Sequence, residues 1–149
     1  VIIADNSTTG MTGHQPNPTT GMDIHFEQTT QLDLEKLVRA LGIEHVSVVD
    51  PFDTKGLTEA LKTETQRKAP SVIITRRPCI LLDKSKPTPR RIDKDLCVEC
   101  GICLQKGCPA IQNDGGTPTI DESLCRGCDL CADACPKQAI KDVNGGETV

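Results

Sequence analysis

The sequence predicts an α/β portion followed by a small α+β portion, and three observations carry that reading. Strand-like and helix-like segments alternate over the first half of the chain. Eight of the nine cysteines then fall between Cys97 and Cys135. Within that stretch an internal repeat recurs 28 positions on, in units too short to bury a core alone.

The opening run, VIIAD, is continuous and β-branched, as a buried parallel strand requires. Such a strand needs neighbours on both sides, so the expectation is a chain that continues an upstream part of the same sheet. A polar loop follows from Asn6 to about Thr30. DLEKLVRALG then has helical periodicity, with Asp33 as its N-cap and Gly42 as its C-cap. HVSVVD reads as a second strand, TKGLTEALKTETQ as a second helix and PSVIIT as a third strand. This βαβαβ order implies parallel pairing through helical crossovers, over residues 1–82.

The composition shifts after the third strand. From Arg76 to Lys94 seven basic residues stand against two acids, with Pro78, Pro87 and Pro89, and residues 83–94 read as an extended linker. The remainder, residues 95–149, carries a formal charge of -5. A basic stretch beside an acidic one, Lys84, Lys86 and Arg90 among it, has three readings. It packs on its own acidic neighbour, receives an acidic protein partner, or is simply solvated.

Composition excludes several function classes. The 149 residues have net charge -4, with no Trp, no Tyr and only Phe26 and Phe52 as aromatics. A large aromatic-lined site and base-stacking recognition have almost nothing to work with, so no nucleic-acid partner is expected. No apolar run approaches the roughly 20 residues of a membrane helix, and no signal-type leader opens the sequence. The expectation is a cytoplasmic protein with no membrane partner.

The cysteine portion, residues 83–149 with the linker included, supplies the strongest chemistry. Ile92-Asp93-x-x-Leu96-Cys97-x-x-Cys100-x-x-Cys103 recurs as Ile120-Asp121-x-x-Leu124-Cys125-x-x-Cys128-x-x-Cys131. Each copy closes on a Cys-Pro pair, Cys108-Pro109 and Cys135-Pro136. Three thiolates on one short loop wrap a compact inorganic core, and a distant Cys before Pro adds the fourth ligand. This is the spacing of two 4Fe-4S clusters, in which the fourth cysteine serves the other copy's cluster. The expected sets are Cys97, Cys100, Cys103 with Cys135, and Cys125, Cys128, Cys131 with Cys108. The first copy's return loop is one residue longer than the second's. Gly101, Gly107 and Gly127 suit it, because glycine lets backbone N–H groups approach cluster sulfurs.

Three other readings compete. Disulfides would need an oxidising compartment and better pair geometry. Zinc would leave the middle cysteine of each triplet surplus. A redox Cys-x-x-Cys pair would need a thioredoxin-like context. Cys79, alone in RRPC, reads as a buried free thiol.

With those residues in place, the sequence resembles a known family. The second portion is similar to two-cluster bacterial-type ferredoxins. The first resembles the end of the pyrophosphate-binding domain of the 2-oxoacid:ferredoxin oxidoreductases, which use thiamine diphosphate (ThDP). ADNSTTGMTGHQPNP, RRPC and a C-terminal cluster portion together resemble the α subunits of the indolepyruvate-oxidising branch, over essentially the whole chain. The resemblance implies a C-terminal part of a parallel-sheet ThDP pyrophosphate-binding domain plus a small two-cluster ferredoxin-like domain. Asn6, through its side-chain carbonyl, and Thr8, through its backbone carbonyl, would hold Mg²⁺ on the diphosphate, with an upstream Asp completing the set. Without the resemblance the same loop is an Asn/Ser/Thr-rich turn, and His14 is a solvated loop histidine. Pyruvate-oxidising relatives carry Asn before TGGQ; here Met11 precedes TGHQ, which implies a bulkier, aryl 2-oxoacid.

The implied activity is oxidative decarboxylation of such an acid, for example indolepyruvate, with coenzyme A taking the acyl group. Electrons would pass through both clusters to an external ferredoxin, and a smaller β subunit would complete the enzyme. The alternative is an electron-transfer subunit of another oxidoreductase, with no ThDP site of its own.

Overall fold

The computed structural model describes residues 1–10, 13–82, 84 and 88–144. The chain divides into two compact units, Val1–Lys84 and Ser85–Val149.

The first unit is a three-stranded parallel sheet of β1 (Ile2–Asp5), β2 (His45–Val49) and β3 (Ser71–Arg76) in the order β1-β3-β2. Helices α1 (Leu34–Ala40) and α2 (Thr54–Gln66) make the crossovers. Because the strand order doubles back, right-handed crossovers put the two helices on opposite faces. Alternation along the central strand serves both faces: Val72 and Ile74 join Val38 of α1 in the core, while Ile73, pointing the other way, is also buried. Ile3, Leu34, Ile43 and Val46 complete the α1 side.

The caps follow the sequence reading and refine it. Asp33 accepts the Lys36 N–H at 3.1 Å, and Asp53 caps α2 by accepting the Gly56 N–H at 2.9 Å. At the end of α1 the cap residue is Leu41, and Gly42 is the left-handed residue after it, at φ +84°. The Gly42 N–H reaches the Arg39 carbonyl and the Ile43 N–H reaches the Val38 carbonyl, which closes the helix in a Schellman motif.

The second unit contains two small antiparallel ladders: β4 (Arg90–Ile92) with β7 (Ile140–Asp142), and β5 (Ile111–Asp114) with β6 (Thr117–Ile120). A 3₁₀ turn over Leu104–Lys106 follows the first cysteine run, and a single helical turn α3 (Leu130–Asp133) contains Cys131, the last cysteine of the second. The core is built on Cys103, Cys131 and Ile140, with Ile92, Leu104, Ile111, Ile120, Ala132 and Cys135 against it.

The extended linker expected over residues 83–94 is corrected here. Arg90–Ile92 is a strand of the second unit, because Ile92 packs into its core and Arg91 pairs with Lys141 across the ladder. The basic stretch is also less free than its composition implies. Arg76 binds Asp5 at 2.9 Å and Glu35 at 3.5 Å, and Arg77 binds Asp50 at 2.6 Å while lying over the Phe52 ring. Arg90 is committed to Asp129 and Asp142. Asp83, Lys86 and Pro87 lie outside the described residues.

Candidate cofactor and cluster sites

In the first unit the ligand-binding end is the carboxyl end of the parallel strands, where α/β sheets open a crevice. A cavity of about 430 Å³ lies there, lined by Asp5 at the end of β1, Arg76 at the end of β3, and Ser7, Thr19 and Glu35 among others. The loop leaving β1 is tightly held. The Asn6 side-chain carbonyl accepts the Thr8 N–H at 3.2 Å, and the Asn6 backbone carbonyl accepts the Cys79 N–H at 2.8 Å. Thr8, 5% exposed, has its hydroxyl on the Gln15 carbonyl, which also takes the Thr9 N–H.

Ser7 and His14 both have left-handed backbone, at φ +59° and +61°. Outside glycine such conformations cost energy and persist where surrounding contacts enforce them. His14 is exposed and, with Ser7, Thr8 and Gln15, lines a second cavity of about 300 Å³. Met11 and Thr12 lie outside the described residues. Cys79, expected as a buried free thiol, is a free thiol and half-buried. What it supplies is the backbone N–H that pins Asn6, a contact across 73 positions that no local pattern announces.

The donor set suits a diphosphate-bound Mg²⁺ in part. Asn6 Oδ1 spends one lone pair on Thr8 and keeps another, so two hard oxygens, this one and the Thr8 carbonyl, stand on one short turn.

In the second unit each cysteine run bends its backbone in the same way. Around the middle cysteine of the first run, Glu99 and Gly101 are left-handed, at φ +52° and +71°; around that of the second, Gly127 and Asp129 are, at φ +59° and +63°. Each copy thus places one glycine and one strained residue at equivalent positions. The strained ones are held by side chains. Thr117 Oγ1 donates to Glu99 at 2.6 Å, and Arg90 grips Asp129 through Nη2 at 2.7 Å and Nε.

The fold brings the cysteines together across the repeat. Cys97, Cys100, Cys103 and Cys135 line one cavity, walled otherwise by Ile92, Val98, Pro118 and Ile140 among others. Burial first, then the neighbouring Cys128, Cys125 and Cys108 thiols, push the Cys131 thiol up to about 11. Cys103 is raised for the same first reason, burial, with Cys97 and Cys100 adding to it. Thiols so placed hold their protons at neutral pH, so a bound metal must displace them. Backbone donors reach cysteine sulfurs in both expected sets, among them Arg90 N–H to Cys125 Sγ at 3.3 Å and Ala139 N–H to Cys135 Sγ at 3.4 Å.

Among the described residues no three His, Cys, Asp or Glu side chains close on a single-ion site. A tetrahedral zinc draws its thiolates to about 2.3 Å from one point. A four-iron cube takes one thiolate per corner, so its sulfurs surround a volume. The cavity the four cysteines share is small, about 20 Å³, so the preference for a four-iron cube rests on the doubled cysteine spacing. Among the described residues no helix is long and apolar enough to cross a membrane.

A crevice-bearing parallel α/β unit followed in the chain by a doubled cysteine unit defines a cofactor-binding redox protein. Residues 1–75 match the thiamine pyrophosphate enzyme C-terminal TPP-binding domain, and the chain belongs to that family. Residues 118–141 match the 4Fe-4S binding domain, so thiamine diphosphate and 4Fe-4S are the cofactor types of the two portions. The chain is similar to indolepyruvate oxidoreductase subunit IorA of Archaeoglobus fulgidus, 39% identical over 95% of this chain and 24% of that protein. It is 37% identical to the subunit of the same name from Methanothermobacter marburgensis, over 95% of this chain and 23% of the relative. The chain is also similar to pyruvate synthase subunit PorD of that organism, 38% identical over 34% of this chain and 59% of that protein. The chain thus spans about a quarter of the length of the IorA relatives.

Proposed function

We propose that this chain is a C-terminal part of a cytoplasmic, ThDP-dependent 2-oxoacid:ferredoxin oxidoreductase acting on an aryl 2-oxoacid such as indolepyruvate. The observation that carries the reading is the pairing of a TPP-binding portion with a doubled cysteine portion in one chain, in an order shared with IorA proteins along nearly its whole length. ThDP, when bound, supplies the electron sink for decarboxylation.

The chain's own residues have separate tasks. Asn6 and Thr8 offer oxygens to Mg²⁺, and Cys79 and Gln15 keep that turn in place through the backbone. The eight cysteines hold two 4Fe-4S clusters, in the crossed sets Cys97, Cys100, Cys103, Cys135 and Cys125, Cys128, Cys131, Cys108. The four-cysteine cavity and the electrostatic coupling of Cys131 to Cys108 both support that crossing. Electrons leave through the clusters to an external ferredoxin, coenzyme A takes the acyl group, and a smaller β subunit completes the enzyme. The likeness to PorD favours the alternative, an electron-transfer subunit of another oxidoreductase without its own ThDP site.

The test uses the complete enzyme, purified without oxygen. Adding indolepyruvate and coenzyme A should bleach the cluster absorbance only when ThDP and Mg²⁺ are present. Bleaching that is indifferent to ThDP would favour the alternative, and none with any 2-oxoacid would overturn the assignment.

A further inference from the structure

We propose that Arg90 is a positioning residue that acts on one cluster of the two, raising the reduction potential of the one on Cys125, Cys128, Cys131 and Cys108 above the value that set would have without it. The inference rests on the two-cluster reading above and concerns what the chain does to each cluster.

The internal repeat makes the comparison possible. Advanced by 28 positions, Arg90 corresponds to Pro118 and Gly101 to Asp129. Arg90 on β4 contacts Cys125 and Asp129, both in the second cysteine run. Pro118 on β6 lines the cavity that contains Gly101, Cys97, Cys100 and Cys103, all in the first run. Each strand therefore faces the other copy's cysteines, and both members of the contact differ between copies. One copy has a charged clamp where the other has proline and glycine, although the first run's cavity also holds Lys137 and its Cys135 accepts the Ala139 N–H.

The backbone carries the first difference. The Asp93 N–H to Ala139 carbonyl and Val143 N–H to Pro89 carbonyl bonds flank β4, so the Arg90 N–H points away from β7 and reaches Cys125 Sγ at 3.3 Å. Pro118 stands opposite Asn113, one step from the Asp114–Thr117 pair that closes the Gly115-Gly116 turn. Its nitrogen also points away from its partner strand, but it has no hydrogen to donate.

The side chain carries the second. Arg90, 13% exposed, binds Asp129 and, at 2.8 Å, Asp142. Without it, two carboxylates would stand beside the second cysteine run with no cation between them, weakly screened by solvent. Reduction adds one electron to a cluster and makes or breaks no bond. N–H donors to sulfur and nearby positive charge favour that more negative state and raise the potential, and uncompensated carboxylates lower it.

The experiment is a dithionite titration of the full chain with both clusters loaded. Each cluster is followed by the paramagnetically shifted β-proton resonances of its own cysteines. Arg90→Gln keeps the N–H and removes the cation, and should disfavour reduction of that cluster at least tenfold, a shift of about 59 mV for one electron. The other cluster should move by much less, and Arg90→Lys should recover part of the loss. Pro118→Ala supplies the missing donor and should raise the cluster on the Cys97 set instead; it carries the test if Arg90→Gln sheds iron. Equal shifts in both clusters, or no shift in any variant, would overturn the inference while leaving two clusters in place. A chain that takes up no iron would overturn both.

Discussion

Replacing Asn6 by Ala separates what the loop after β1 does for itself from what it does for a cofactor. The Asn6 Oδ1 atom accepts the Thr8 N–H at 3.2 Å, and Thr8 is 5% exposed. Truncation leaves that donor where water reaches it poorly, a cost of about 1–3 kcal/mol. The larger the cooperative unit, the smaller the shift per kcal/mol, about 2–4 °C at 150–250 residues, so the cofactor-free melting midpoint of the domain should fall by about 2 °C or more. Asn6→Asp keeps an acceptor at the same place and should restore most of the loss. Mg²⁺ and ThDP add a second increment, because a ligand that binds only the folded state raises stability by mass action. Calorimetry of the complete enzyme, with and without both, reads the two increments apart. Wild type and Asn6→Asp should gain stability on adding the cofactor, and Asn6→Ala should gain much less. An increment in Asn6→Ala equal to that of wild type would remove Asn6 from the site, and an unchanged cofactor-free midpoint would refute the turn argument itself.

Ile74→Ala empties the centre of the parallel sheet, where Ile74 is fully buried. It should cost about 2–5 kcal/mol in denaturant unfolding of the first unit, and a loss well under 1 kcal/mol would contradict the packing described. Cys108→Ala should abolish the cluster on the Cys125 set and spare the other, with Cys135→Ala doing the reverse; loss of the opposite cluster in either variant refutes the crossing. Asp33 has its carboxyl held below the usual carboxylate range, first by the Lys36 N–H. A depressed folded value means a contribution present above the ordinary carboxylate pKa and lost as pH falls through the depressed one. Asp33→Asn keeps the cap and should flatten that acid limb of the stability curve; the same acid slope in the variant would contradict the linkage.

The sequence was most legible where a local signal fixes a local structure. The apolar runs of β1, β2 and β3 and the helical period of α2 fall where their residues imply, since each pattern reflects burial on the element itself. The cysteine spacing declares its chemistry for the same reason. Charge was the least legible. Arg76, Arg77 and Arg90 read as part of a basic stretch with three possible roles, packed, partner-binding or solvated, and each finds a carboxylate 27 to 71 positions away, Arg90 within the acidic portion itself. Composition counts such residues and cannot pair them. Cys79 is a similar case, since its contribution to the Asn6 turn is a backbone N–H whose partner depends on the β1–β3 register. The left-handed conformations of Glu99 and Asp129 also went unread. Only their mates Gly101 and Gly127 advertise it, and the holding side chains, Thr117 and Arg90, lie in other elements.

The most direct test of the central claim is metal analysis of the full chain reconstituted anaerobically with iron and sulfide in the presence of competing zinc. Two crossed four-cysteine sets predict about eight iron and about eight sulfide per chain. Near-zero iron with about two zinc per chain would contradict the account.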